Sequence, residues 1–194
     1  MEKVGIHMSQ GTEHERVAVR PSDETNEEQI ALAKAQGAAF QRAVETMTKQ
    51  EAHGAEQHAG DYLVGYAVEH AEGMYQMRQG QLEWQDPQDE NAHVEVVVRD
   101  AADGRFIPGL TVYATLLDRA GKEIGTHQQP FLWHPWLYHY GRNWRVPGDG
   151  TYTLRVRVEP PDFMRHDKIN GKRFAEPVDV EFRDVTIQTG QKRS

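Results

Sequence analysis

From Asp61 onward the chain keeps returning to one pattern: short runs of Val, Thr and Tyr in which apolar and polar residues alternate. A period of two sends successive side chains to opposite faces of a strand, so this pattern commits the segment to β-structure. Five runs carry it: YLVGYAVE, HVEVVVRD, LTVYATLLD, TYTLRVRVE and VDVEFRDVTIQ. In LRVRVE, Leu154, Val156 and Val158 fall on one side and Arg155, Arg157 and Glu159 on the other, as in an antiparallel sheet with one wet face. Turn signals at Asp103-Gly104, Ala120-Gly121, Pro147-Gly148-Asp149-Gly150 and Asn170-Gly171 separate the runs. Short strands, frequent turns and no intervening helix predict an all-β sandwich or barrel.

The chain divides near residue 60. Residues 1–24 are polar and aperiodic, and are expected to be a flexible segment. A helical extension is expected over 25–58. Thr25 and Glu28 have capping-box spacing, and Ile30, Ala33, Gly37, Phe40, Val44 and Met47 form one apolar stripe. That stripe predicts a packing face on the main domain or on a partner subunit. His53 and His58 fall in the helix tail at a spacing of five, which does not put two ligands on one helix face, so both read as solvated.

Composition removes several function classes. The net charge of -8 argues against a nucleic-acid surface, which needs clustered Lys and Arg. There are no cysteines, so disulfides, thiolate metal sites and cysteine nucleophiles are excluded. Serine occurs only at 9, 22 and 194, none in a strand–turn context, and there is no Gly-x-Ser-x-Gly, phosphate-binding glycine loop or His-Glu-x-x-His. A non-enzyme is expected. No apolar run reaches the roughly 20 residues that span a bilayer, so no direct membrane insertion is expected. The N-terminal MEKVGIHMSQGTEHER lacks the apolar core of a signal peptide, which fits a cytosolic chain or one that begins after a removed leader.

The residues that carry chemistry are histidines. HPWLYHYGRNW places His134 and His139 in an aromatic-rich segment, and His93 and His166 sit in AHVEV and FMRHD. Imidazole is the commonest protein ligand for transition metals. His93 and Glu95 are two apart on a strand and so project to one face. Glu95 reads equally well as a ligand, as an orienter of a histidine or as a salt-bridge partner. Glu69, His70, Met74 and His127 (the last expected in a loop) are peripheral candidates. The aromatics Trp133, Trp136, Tyr138, Tyr140 and Trp144 read as a core or dimer-interface cluster.

Six blocks in order over residues 61–189 resemble the periplasmic iron-transport accessory family, the soluble ferrous iron transport component found beside bacterial iron permeases. They are GYAVEHAEGMY, AHVEVVVRD, FIPGLTVYATLLD, YHYGRNW, GTYTLRVRVEPPDFMRHD and FAEPVDVEF. The resemblance implies an immunoglobulin-like antiparallel β-sandwich over 61–190, a homodimer, and a periplasmic or extracytoplasmic place. It implies a copper site (Cu2+, with iron or manganese as the other metals) built from His93, Glu95, His139 and His166. The family's site also has a methionine. Phe131, Leu132 and Trp133 stand where that thioether is expected, and no Met occurs between Met77 and Met164. Loss of a soft sulfur ligand favours imidazole-compatible divalent ions over Cu(I), with His134 as a substitute nitrogen ligand.

The expected function is therefore a metal-binding accessory of a bacterial iron-uptake system that handles metal for a membrane permease. The alternative is a metal-free immunoglobulin-like interaction module that has lost the site. A metal-dependent enzyme ranks third. Histidine ligation predicts binding that weakens as pH falls through the histidine range, between pH 7.5 and 5.

Overall fold

A computed structural model of the chain describes residues 18–51 and 53–192. Two antiparallel sheets face each other. Strands β1 (His53–Ala59), β2 (Tyr62–Glu69), β5 (Ala92–Asp100), β8 (Phe131–Trp133) and β9 (Tyr138–Trp144) form one sheet, in the order β1-β2-β5-β9-β8. Strands β6 (Val112–Leu117), β7 (Glu123–Gln128), β10 (Gly150–Val158) and β11 (Val178–Ile187) form the other, in the order β11-β10-β6-β7. A separate hairpin pairs β3 (Met74–Arg78) with β4 (Gln81–Gln85). This is the antiparallel sandwich the strand pattern predicts, with the immunoglobulin-like fold that the family resemblance implies and a helix before it.

The core between the sheets follows the alternation. Val94, Val96 and Val98 of β5 meet Leu154, Val156 and Val158 of β10, with Tyr62, Val64, Tyr66 and Val68 of β2 beside them. These residues therefore occupy the inner faces, and the alternate residues of β5 point the other way. Yet all nine residues of β5 are buried. Its outer face is covered too, and its occupants are His93, Glu95, Val97 and Arg99.

The helix α1 (Glu27–Thr46) supplies part of that cover. Its capping box is Asn26 with Gln29, one residue later than Thr25 with Glu28: Asn26 Oδ1 accepts the Gln29 N–H, and Gln29 Oε1 accepts the Asn26 N–H. The expected stripe does pack on the main domain, where Val44 and Met47 bury against Ala67, Val97 and Leu137 with Phe40 alongside. Gly37 is the closest approach. A Cβ placed there would lie 1.7 Å from the Asp103 carbonyl oxygen.

Two expectations for this region need correction. The helix does not run to residue 58. After α1 one wide π-turn covers Met47–Glu51, and residues 53–59 are β1. The register pairs His53 with Val68 and Ala59 with Tyr62, closing a two-residue hairpin at Gly60-Asp61, with Gly60 at φ +56°. Pairing with β2 overrides a local sequence that carries little strand signal. Residues 1–17 of the expected flexible segment lie outside the described residues. Residues 18–24 are tied down: the Arg20 N–H donates to Asn170 Oδ1, and the Ser22 hydroxyl donates to Asp167.

Candidate metal centre

The centre is assembled on the outer face of the first sheet by strand register. Opposite His93 on β5 stand Glu69 on β2 and Asn143 on β9. Opposite Glu95 stand Ala67 and Gly141, two residues that leave space. His139 lies two residues before Gly141 on the same face of β9, and its partner on β8 is Leu132. His93, Glu95 and His139 converge, each offering a ligand atom within 4.8 Å of the others, and all three are buried. His139 Nε2 is 3.4 Å and His93 Nε2 3.9 Å from Glu95 Oε1. Tetrahedral ligands at metal-bond lengths of about 2.0–2.1 Å stand about 3.3 Å apart, and the His139–Glu95 pair already stands near that spacing.

Hydrogen bonding prepares the donors. Asn143 Nδ2 donates to the Glu72 carbonyl at 2.7 Å, which fixes the amide so that Oδ1 faces His93. At 2.9 Å that oxygen can only accept, so His93 carries its proton on Nδ1 and aims the Nε2 lone pair into the centre. His93 Nε2 and both ring nitrogens of His139 are buried without a hydrogen-bond partner. Leaving such groups unsatisfied costs about 1–3 kcal/mol each. A Cβ on Gly141 would sit 3.0 Å from His93 Nε2, 3.0 Å from Leu132 Cδ1 and 3.2 Å from His139 Cδ2. The missing side chain therefore leaves a cradle in which the orphaned nitrogens meet a carboxylate. That donor set fits a first-row divalent metal.

Burial keeps both imidazoles neutral. Desolvation pushes the His139 pKa down to about 3, aided by neighbouring His93 and His134. Desolvation also lowers that of His93, against the opposing pull of Glu72, the Asn143 bond and Glu69. Proton competition at these two ligands is therefore shifted downward from the ordinary histidine value.

The other candidates fall in different places. His134 is half-buried beside the centre, its ring centroid 6.4 Å from that of His139, and its Nδ1 is buried without a partner. His166 is not brought to the cluster. It is exposed and lines a cavity of about 440 Å³ between the start of α1, the 100–105 turn and the 163–174 segment. His127 lies on β7 rather than in a loop, edge-on to Trp144 at 4.6 Å. Leu132 occupies the edge of the centre where a thioether was expected. Met74 lines a cleft of about 640 Å³ beside it, with Leu132, Gly141 and Asn143. The aromatic group divides: Tyr140 and Trp144 are core, whereas Trp133, Trp136 and Tyr138 are exposed.

Two residues were missed by sequence reasoning. Glu72 Oε1 lies 3.8 Å from His93 Nε2, and Asn143 orients His93. Asn143 stands four residues after His139 in YHYGRNW, so a strand reading of that run would have put both on one face. Glu72 sits in a loop and left no periodic signal.

Among curated proteins, none matches the chain. Solved structures do. FetP of uropathogenic E. coli aligns with a TM-score of 0.57 at 19% identity, over 70% of this chain and 93% of that one. Copper-reconstituted P19 from Campylobacter jejuni aligns with a TM-score of 0.58 at 18% identity, over 71% of this chain and 96% of that one. A copper-bound methionine-to-isoleucine variant of P19 aligns with a TM-score of 0.55 at 16% identity, over 71% and 99%. These likenesses establish the shared fold. The family model described as Fe2+ transport protein matches residues 46–188, which take in the whole sandwich and every residue of the three-donor cluster, and the chain belongs to that family.

Proposed function

We propose that this protein is a metal-binding accessory of a bacterial iron-uptake system, holding a divalent metal at His93, Glu95 and His139 on its way to or from a membrane permease. The observation that carries the reading is the convergence of two buried imidazole nitrogens without a hydrogen-bond partner, His93 Nε2 and His139 Nε2, with Glu95 around the cradle at Gly141. Copper, as Cu2+, is the metal the donor set suits best, with iron and manganese as the other metals. Two neighbours of the same fold are named as copper-loaded proteins, one of them with isoleucine in place of a methionine.

Asn143 holds His93 in the ligating tautomer, Glu95 offsets the charge of the ion, and burial keeps protons off both imidazoles. The metal would supply Lewis acidity or redox capacity, while the protein supplies a dry, preformed donor set. His134 is the next donor outward and enters as an additional ligand. His166 reaches a centre of this kind only from a second copy of the chain, and a homodimer through the exposed Trp133, Trp136 and Tyr138 is the assembly that reading calls for. An extracytoplasmic location accompanies the proposal. Among the described residues no helix is long and apolar enough to cross a membrane.

Calorimetric titration of metal-stripped protein with Cu(II), Mn(II) and Zn(II) tests the reading. A tight, near-stoichiometric event abolished in both His93→Ala and His139→Ala is expected. Binding that survives both variants, or no binding at all, would transfer support to the metal-free interaction module.

A further inference from the structure

The segment just beyond the family match closes over the centre. The Gly190 N–H donates to the Asn91 carbonyl at 2.7 Å, the Ala71 N–H to the Gly190 carbonyl at 2.9 Å, and the Lys192 N–H to the Ala71 carbonyl at 2.7 Å. The Gln191 side chain donates to the carbonyls of Gln88 and Glu90. This short strap straddles the loop that follows β2 and delivers one cation to it. Lys192 Nζ pairs with Glu69, and with Glu72 Oε2 at 3.2 Å. The other oxygen of the same Glu72 carboxylate faces His93 Nε2 at 3.8 Å. Glu69 stands opposite His93 in the sheet.

We propose that Lys192 is a displaceable internal cation: it occupies Glu69 and Glu72 until a metal dication arrives, and then yields Glu72 to that ion as a fourth ligand. The inference rests on the metal-centre reading above. Three observations carry it. The Glu72 backbone is anchored to Asn143 through both its carbonyl and its N–H, so only side-chain torsions must change for its carboxylate to turn inward. Lys192 is half-exposed and has water to move into. The Glu72 carboxylate that Lys192 pairs with lies 3.8 Å from His93 Nε2, so a dication beside His93 would feel the repulsion of the lysine. Lys192 is thus a positioning residue, whose charge raises the threshold for metal entry.

The test is Cu(II) titration of the metal-stripped full chain at low salt, across a charge series at one position. Lys192→Gln should bind about fivefold more tightly than the wild type, the scale of one partly exposed ion pair. Lys192→Glu should bind more tightly still, and Lys192→Arg should return to the wild-type value. Glu72→Gln should weaken binding and cancel the gain when combined with Lys192→Gln. Gln191→Ala loosens the strap without removing charge and should leave affinity unchanged. Wild-type binding that is unaltered or weakened in Lys192→Gln overturns this proposal alone. So does a gain in Gln191→Ala equal to that in Lys192→Gln, because the strap and not the charge would then be responsible. A wild-type chain that binds no metal overturns the metal-centre reading and this inference together.

Discussion

Replacing Gly141 by alanine separates the stability of the sandwich from the chemistry of the centre. Gly141 lies in the middle of β9 at a negative φ, so its backbone accepts a side chain. Alanine in a strand interior is favoured over glycine by about 0.5–1 kcal/mol. Against this stand contacts of 3.0 Å to Leu132 Cδ1 and 3.2 Å to His139 Cδ2, both on side chains that can yield by tenths of an ångström. The stability of the metal-free protein should therefore stay within about 1 kcal/mol of the wild type. The third contact is different. A methyl carbon 3.0 Å from His93 Nε2 covers the lone pair that a metal needs at about 2 Å. The ring cannot swing aside without losing its 2.9 Å bond to Asn143, at a cost of about 1–3 kcal/mol. Cu(II) affinity should fall by about ten- to a hundredfold. Urea unfolding of the metal-free proteins and calorimetric titration give the two numbers. Unchanged affinity with an unchanged fold would refute the placement of the ion in the Gly141 cradle.

The same geometry yields further expectations. Asn143→Ala frees the His93 tautomer and should reduce metal affinity by about ten- to a hundredfold while secondary structure is kept, as circular dichroism will report. His139 has a folded pKa of about 3 against an ordinary 6.5, so above pH 6.5 it contributes no pH dependence. Below pH 6.5 only the unfolded chain gains the proton, and stability falls with pH down to about pH 3; the loss at pH 5 is about 2 kcal/mol, which urea melts of the wild type and His139→Leu at pH 7.5 and 5 will resolve. Gly37→Ala forces a carbon to 1.7 Å from the Asp103 carbonyl oxygen, so α1 must shift, at a cost of about 1–3 kcal/mol with faster hydrogen exchange in the helix. Leu132→Met places a thioether at the edge of the centre in nearly the same volume, and should raise Cu(I) affinity relative to Cu(II) in chelator competition.

The sandwich was legible wherever burial on one face imposed a period of two. The five runs named from the sequence are β2, β5, β6, β10 and β11. Those strands form most of the inner core, and hydrophobic alternation is what that core requires. Apart from β9, the strands that escaped notice are the short or polar ones. Strand β1 (HGAEQHA) is stabilised by pairing along β2, β3 and β4 are glutamine-rich around Gly80, and β7 is exposed along most of its length. Pairing partners are tertiary facts, and a run such as HGAEQHA does not announce them. In the site, His93 and Glu95 were readable as one face of one strand, and that spacing is the part of the cluster that local geometry fixes. His139 was visible as a candidate imidazole in HPWLYHYGRNW, but its place beside Glu95 was not, because only the β5–β9 register brings the two together. His166 was a candidate on the same ground and stands elsewhere in the single chain.

The outer face of β5 explains why the centre takes the form it does. An antiparallel sandwich ordinarily leaves such a face to water, and a histidine–glutamate pair there would be solvated and protonated in the ordinary range. Here the row His93, Glu95, Val97, Arg99 is covered along its length. Val44 and Met47 of the α1 region close over Val97, Glu56 and the Gly104 carbonyl bind Arg99, and β9 with the strap from Gly190 to Lys192 encloses the histidine end. Most of α1 precedes the family match and Lys192 follows it, so both ends of the chain add cover that the shared sandwich does not include. Dehydration removes protons as competitors at His93 and His139 and strengthens the attraction between Glu95 and a bound cation. It also makes an uncompensated charge in the centre costly, so a second carboxylate that joins Glu95 favours a dication further. Glu72 is the carboxylate within reach, and its present partner is Lys192. Release of that lysine is thus the step on which the charge balance of a filled centre depends.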